Sequence, residues 1–319
     1  MLATYNGAQF LEELLDSLFA QTRQDFTLLV ADDGSTDGTP AILADYARRY
    51  EGRIRMLPAS PGPRGALANF ARLLDGASGD YVLLCDQDDV WLSDKIEASV
   101  DGMQSLEARS PPGTPLLVHT DLVVVGRDLE VLGPSFFRYA GIDPHRNDLT
   151  ALLLANVATG CATIVNRALY ERARPIPREA MMHDHWLALV AAACGAMEAI
   201  DRPCILYRQH GRNLIGAKPP SAASTAQRIR QTLFSGERRG VLMRYARQAA
   251  TLLARYGREM SEEQRRATTT LATLWSMPRW RRFVRLRRSG LGLRGFLRNV
   301  ALFVVVTRGA ATRRGRRQA

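Results

Sequence analysis

Apolar and polar positions follow two rhythms along the first third of the chain. Short apolar runs at 27–33 (TLLVADD), 53–57 (RIRML) and 81–85 (YVLLC) read as buried strands. Between and after them, 36–50, 66–77 (ALANFARLLDGA) and 93–108 (SDKIEASVDGMQSLEA) read as helices. Thr36 or Asp37 stands near the start of the first of these, and Ser93 suits the N-cap of the last. Strands alternating with helices predict crossover connections. The expected fold is therefore α/β, a mostly parallel sheet with helices on both faces. In such sheets ligands bind at the carboxyl ends of the strands.

The pattern becomes extended and hairpin-like at 115–135, helical and apolar at 184–195, and strand-like in short pieces at 197–208. KPPSAAST (218–225) reads as a linker. Beyond it the chain reads as consecutive helices with apolar and arginine residues interleaved. This predicts two parts, residues 1–217 and a helical, basic extension at 218–319. Only Met1-Leu2-Ala3 precede Thr4-Tyr5-Asn6-Gly7, whereas a first strand needs roughly five residues or more. The expectation is a strand that begins upstream of Met1.

Composition narrows the classes. With 319 residues, 46% hydrophobic and 24% charged, the chain has material for one large domain with an appendage, or for two domains. Four cysteines without C-x-x-C spacing argue against a zinc site or disulfide framework and fit a reducing compartment. No signal peptide is recognisable, and no apolar run nears the roughly 20 residues of a membrane span. The net charge of +11 is unevenly distributed. Residues 1–220 carry 20 Lys+Arg against 28 Asp+Glu, a net of −8, while 221–319 carry 23 against 4, a net of +19.

Candidate chemistry sits where the strands end. In LCDQDDVW, Asp86, Asp88 and Asp89 crowd together after an apolar run. Like charges so close repel, so a cation is expected among them. The D-x-D spacing suits a hard divalent ion, Mn²⁺ or Mg²⁺. A solvated acidic loop at a helix N-terminus is the plainer alternative. In ADDGSTDGT (31–39), turn and capping roles explain Gly34, Ser35 and Asp37 but not the pair Asp32-Asp33. Asp184, in MMHDHW, stands before an apolar helix, either as an N-cap or as a carboxylate able to take a proton. His183 and His185 are alternative bases.

ATYNG (3–7), ADDGSTDGT and LCDQDDVWLSDKI (84–96), in this order and spacing, resemble the family 2 glycosyltransferases of the GT-A fold, over about residues 1–215. HDHWLALVAAACG (183–195) and LYRQHGRNLIGA (206–217) resemble the bacterial rhamnosyltransferase branch that builds surface polysaccharides. The resemblance implies a nucleotide-sugar donor, dTDP-β-L-rhamnose, and an inverting transfer to a lipid-linked saccharide. It implies that Thr4 and Tyr5 lie against the nucleotide base, that Asp32 or Asp33 accepts a hydrogen bond from it, and that Asp86 faces the nucleoside sugar. Asp88 and His210 would hold the metal, Asp89 the loop or the donor sugar, and Asp184 would be the base. Arg208 and Arg212 would neutralise the diphosphate, Trp91 would pack, and 156–170 would form an acceptor-side wall. The alternatives are a UDP-sugar donor, or a nucleotide-sugar-binding partner subunit without transfer activity.

The tail calls for its own account. Residues 265–319 hold 15 arginines and no acid, with Trp275, Trp280 and Phe283 among them. Interfacial helices on an anionic membrane explain this combination, and would place the protein peripherally on the inner face of the plasma membrane. Nucleic-acid binding is set aside, because the front half reads as an enzyme and the LFVVV run is apolar. A helical packing domain with a basic outer face is the other reading.

Overall fold

A computed structural model describes residues 1–59, 62–211 and 236–292, together with Asn299, Leu302 and Val306. In chain order the elements begin with β1 (Leu2–Thr4), α1 (Ala8–Phe19), β2 (Leu28–Asp32), α2 (Thr39–Arg49), β3 (Ile54–Met56) and α3 (Ala66–Asp75). Next come β4 (Tyr81–Leu83), β5 (Cys85–Asp86), β6 (Val90–Trp91), α4 (Lys95–Ala108), β7 (Leu116–Val125) and β8 (Val131–Gly133). Then follow α5 (Phe136–Ala140), α6 (Leu149–Leu152), β9 (Thr163–Asn166), α7 (Arg167–Ala173), α8 (His183–Cys194) and β10 (Ala196–Arg208). The described chain closes with α9 (Gly236–Tyr256), α10 (Glu262–Ala272) and α11 (Arg279–Arg288).

The strands form two ladders. The first has the order β3-β2-β1-β5 and is parallel throughout. The second has the order β4-β9-β7-β10-β6, with β8 on β7, and is mixed: β7 and β10 are parallel, the other pairs antiparallel. Only Leu84 separates β4 from β5, and its N–H donates to Thr163 O at 3.2 Å. One extended stretch therefore links the two ladders. The run at 81–85 predicted as one strand is this divided stretch, while the short strands expected at 197–208 are one strand, β10, with register shifts near Pro203.

Burial explains the helix positions. Leu11, Leu14, Leu15 and Leu18 line one side of α1 at helical spacing and are buried. Helix α8 is different, because Trp186, Leu187, Ala188, Leu189, Val190 and Ala191 are all fully buried. A helix apolar all round needs cover on every side. The sheet supplies one side, and Leu252, Tyr256 and Leu271 of α9 and α10 belong to the same core cluster. The basic C-terminal region thus completes the core around α8. At the start of α4 the cap residue is Asp94, without a side-chain cap bond, and not Ser93, whose carbonyl instead accepts from Thr22 N at 2.7 Å. The linker expected at 218–225 lies outside the described residues, as does nearly all of the chain beyond 292.

Candidate functional site

Parallel register brings the sequence motifs to one edge. Thr4 pairs with Asp32 across β1 and β2, and Ala3 pairs with Asp86 across β1 and β5. The loops that follow these strands are tied together. Asn6 takes a left-handed backbone, with φ of 47°, and its Oδ1 accepts from Thr36 N at 2.8 Å. Gly7 N donates to Thr39 Oγ1 at 2.9 Å. Gln87, the middle residue of D-x-D, clamps the first loop: its Oε1 accepts from Tyr5 N at 2.8 Å and its Nε2 donates to Tyr5 O at 3.0 Å. A Cβ at position 7 would lie 2.2 Å from Gln87 Oε1, so any larger residue there would displace the Gln87 amide from its clamp on Tyr5. Nothing in the D-x-D pattern specifies Gln87; its role depends on the loop it meets.

Asp32 and Asp33 are used differently. Asp32 accepts from Thr4 Oγ1 at 2.8 Å, from Ser35 Oγ at 2.5 Å, and from the N–H groups of Gly34 and Ser35 at 3.1 and 2.8 Å. Its carboxylate is saturated by its own turn. The Oδ2 of Asp33 accepts from Arg64 N and Gly65 N, both at 2.8 Å, while its Oδ1 is buried with no partner. Tyr5 is 47% exposed, on the surface side of the same loop.

The D-x-D acids gather beside a cysteine that the sequence did not single out. One oxygen each from Asp86 and Asp89 and the sulfur of Cys161 lie within 4.8 Å of one another. Burial, then Asp88 and Asp184, push the Asp86 carboxyl up to about 7. Burial, then Asp88 and Asp86, also raise Asp89. Asp89 Oδ1 accepts from Arg208 N at 3.1 Å, and Oδ2 is a buried oxygen without a hydrogen-bond partner. Asp88 Oδ2 lies 2.8 Å from His210 Nε2. Crowded carboxylates raised by one another, with an orphaned oxygen and an imidazole beside them, form a donor set that fits a hard divalent cation. A thiol is a poor ligand for such an ion, so Cys161 reads as a neighbour of the carboxylates.

Arg208 departs from expectation. Its side chain is buried, with Nη2 on Glu13 at 2.5 Å, Nε on Asp88 O at 2.9 Å and Nη1 on Arg127 O. The guanidinium also stacks over Phe10 at 4.6 Å. It is engaged in bracing the D-x-D loop and not held open for a diphosphate. Arg212 lies outside the described residues. Trp91 packs, as expected, at 5% exposure.

Asp184 sits in the first turn of α8, after the N-cap Met182, and its Oδ1 accepts from His185 N at 2.6 Å. Burial pushes its carboxyl up to about 6, against the opposing pull of the His185 N–H and of the polar groups of Gly160 and Asn156 nearby. The charge of Asp184 contributes to raising Asp86, and the consecutive residues Gly160, beside Asp184, and Cys161, beside Asp86, place the two acids on one side of the same turn. Asn156 and Gly160 put the 156–170 segment beside them. The two histidines have other surroundings. His185 Nε2 donates to Leu152 O at 2.7 Å and its Nδ1 accepts from Gln248 Nε2 at 3.3 Å, which commits both nitrogens. His183 stacks on Phe70 at 3.7 Å, and burial holds its pKa down to about 3. Burial weakens the imidazole as a base and strengthens the carboxylate, so Asp184 is the stronger base of the two. Gln248, on α9, also accepts from Met181 N at 2.7 Å, so the C-terminal region steadies the segment that carries Asp184.

Residues 1–172 match the family described as Glycosyl transferase family 2. The chain is 30% identical over 236 residues to a dTDP-rhamnosyl transferase of Shigella flexneri, covering 68% of this chain and 74% of that one. It is 30% identical over 217 residues to an uncharacterised protein of Mycobacterium tuberculosis, covering 66% of this chain and 58% of that longer relative. Among solved structures, it resembles the mannosyltransferase PcManGT of Pyrobaculum calidifontis in complex with GDP-Man and Mn²⁺, with a TM-score of 0.51 at 20% identity, over 94% of this chain and 76% of that one. It also resembles residues 1–349 of S. aureus TarS in complex with UDP-GlcNAc, with a TM-score of 0.51 at 16% identity, over 96% and 89%. At these identities the two structures bear on the fold, which is that of the GT-A glycosyltransferases.

Proposed function

The chain belongs to glycosyl transferase family 2, and from that premise we propose that it transfers L-rhamnose from dTDP-β-L-rhamnose to a hydroxyl of a lipid-linked saccharide, with inversion. The observation that carries the reading is that consecutive residues bridge the acids, Gly160 lying beside Asp184 and Cys161 beside Asp86 and Asp89, with the Asp88–His210 pair on the same loop. A proton acceptor and a cation-binding acid cluster stand on one edge of the sheet. The rhamnose donor is supported by the 30% identical dTDP-rhamnosyl transferase.

In this reading the buried Oδ1 of Asp33 accepts from the N–H of the nucleotide base, and Tyr5 lies against that base. Asp86 faces the nucleoside sugar, and Asp89 holds the loop through Arg208 N. Asp88 and His210 would hold a Mn²⁺ or Mg²⁺ ion, which when bound neutralises charge on the diphosphate. Asp184 takes the proton of the acceptor hydroxyl as its oxygen bonds to the anomeric carbon. The bond to the diphosphate breaks on the opposite face, and its electron pair leaves with the nucleoside diphosphate. A β-linked donor thus gives an α-L-rhamnoside.

Residues 1–217 carry transfer in this reading, and 218–319 meet an anionic membrane where a lipid-linked acceptor resides. No helix among the described residues is long and apolar enough to cross a membrane. Trp280 is 68% exposed, on a helix with arginines at 279, 281, 285, 287 and 288, a surface suited to the headgroup region. This would hold the protein peripherally at the inner face of the plasma membrane.

Thermal shift with dTDP, dTDP-rhamnose, UDP and GDP, each with and without Mn²⁺, tests the donor. A metal-dependent rise selective for the dTDP ligands is expected. A rise with UDP alone would overturn rhamnose and keep the transferase.

A further inference from the structure

Three consecutive residues, Gly160, Cys161 and Ala162, form one 3₁₀ turn just before β9, and each meets a different part of the site. Gly160 lies against Asp184, and its backbone favours the charged form of that carboxyl. There is little room at that point: a Cβ on residue 160 would lie 3.2 Å from His183 Nε2 and 3.6 Å from Asp184 Oδ2. Cys161 lies against Asp86 and Asp89. The carbonyl of Ala162 accepts from Lys95 Nζ at 3.2 Å.

Lys95 is the first residue of α4, which follows the D-x-D loop after the short strand β6, and is 0% exposed. Its ammonium also donates to Ser99 Oγ at 2.8 Å and lies 5.4 Å from the centre of the Trp91 ring. The three N–H groups of the ammonium thus meet one carbonyl, one hydroxyl and one aromatic face. Burying an ammonium carries a large desolvation cost, and an apolar side chain of similar volume would pack here without it. Stability alone does not account for a lysine in this place. What the lysine adds is a directional bond from the segment after Asp86–Asp89 to the turn that touches Asp184.

We propose that Lys95 is a positioning residue for transfer, holding the Gly160–Ala162 turn and through it the spacing between the Asp86–Asp89 carboxylates and Asp184. The role in transfer rests on the function proposed above; the hold on the turn does not, and the two are read separately.

The hold is read by alkylating the native full chain with iodoacetamide and following each cysteine by peptide mass. Cys161, Cys85 and Cys204 are all buried, and the latter two lie within strands. Lys95→Met is expected to speed labelling of Cys161 by tenfold or more while Cys85 and Cys204 keep their wild-type rates. An equal rise at all three is general loosening and overturns the proposal, as does no rise at Cys161. If Lys95→Met does not fold, Lys95→Gln, which keeps a donor for Ala162 O, carries the same measurement with a smaller selective rise expected.

The role in transfer is read in kcat and donor KM. Lys95→Met is expected to lower kcat about 10–100-fold with donor KM within about threefold, the signature of lost alignment. Gly160→Ala should do the same, because its Cβ would crowd His183 Nε2 at 3.2 Å and shift the turn beside Asp184. Because both act through one turn, the double variant should be no slower than the slower single; losses that multiply would overturn the shared route. A wild-type chain without turnover on any nucleotide sugar would overturn the transfer reading, and Lys95's part in transfer with it, leaving the labelling result to decide the turn.

Discussion

Asp88 Oδ2 and His210 Nε2 lie 2.8 Å apart although 122 positions separate them in the chain. The contact joins the loop after β5 to the end of β10. It is held from behind by Arg208, which bonds the backbone of Asp88 and of Arg127 and the carboxylate of Glu13. Two potential ligands are thus fixed by a brace that is not itself a ligand.

Replacing either partner should weaken cation binding. Asp88→Asn and His210→Ala are each expected to raise the Mn²⁺ concentration for half-maximal thermal shift with dTDP by about tenfold or more, as loss of one ligand does. Titration of Mn²⁺ at fixed nucleotide checks this, and unchanged midpoints in both variants would remove the pair from the metal site.

The brace should matter for stability. Arg208→Ala takes the donor from the half-exposed Glu13 carboxylate and from the carbonyls of Asp88 and Arg127 and empties a buried site, and is expected to cost about 1–3 kcal/mol. Urea unfolding measures it. A variant of wild-type stability that loses only nucleotide affinity would restore Arg208 to the diphosphate.

Asp184→Asn should cost activity and add stability. Burial raises this carboxyl to about 6 in the folded chain, well above the ordinary aspartate range. A raised acid favours folding below its unfolded pKa and opposes it as pH climbs through the folded one. Removing the charge is therefore expected to stabilise by roughly 1–3 kcal/mol above pH 7 and by almost nothing below pH 4. Turnover should fall about a thousandfold with nucleotide binding retained. In the wild type, kcat should drop tenfold per pH unit below about 6, the value at which Asp184 takes its proton. Melting curves at pH 4 and pH 8 and a pH–rate profile read the two effects.

The paired acids Asp32 and Asp33 should separate in the same assays. Asp32→Asn breaks a turn whose two N–H groups and two hydroxyls it satisfies, so a loss of about 1–2 kcal/mol in stability is expected. Asp33→Asn should instead lower dTDP affinity about tenfold, because its single oxygen stays on Arg64 N and Gly65 N and an NH2, which cannot accept, replaces the orphaned Oδ1. Isothermal titration with dTDP, alongside urea melts, distinguishes them, and a reversed pattern would assign the base to Asp32.

At the C-terminal surface, Trp280→Ser should reduce sedimentation with vesicles containing anionic lipid at least threefold without shifting the melting temperature, since the ring is 68% exposed. Equal sedimentation of the two proteins would take Trp280 out of any membrane contact.

The sequence by itself determined the first half of the sheet and the acids at its edge. Apolar runs and helical spacing are local properties, and a parallel register then sets Thr4 beside Asp32 and Ala3 beside Asp86 without further information. Tertiary structure decided the rest. Asp32 and Asp33 are alike in sequence, and only the neighbouring loops make one saturated and leave the other with an orphaned oxygen. Arg208 reads as a cation for a diphosphate until Glu13, 195 positions away, engages it. Helix α8 announces that it needs cover, but its pattern cannot say that α9 and α10 provide it. Cys161, Gly160 and Lys95 carry no signal of their own, because their meaning lies in contacts made when distant segments return to one edge. Periodicity reports which face of an element is buried; what it is buried against depends on the whole chain.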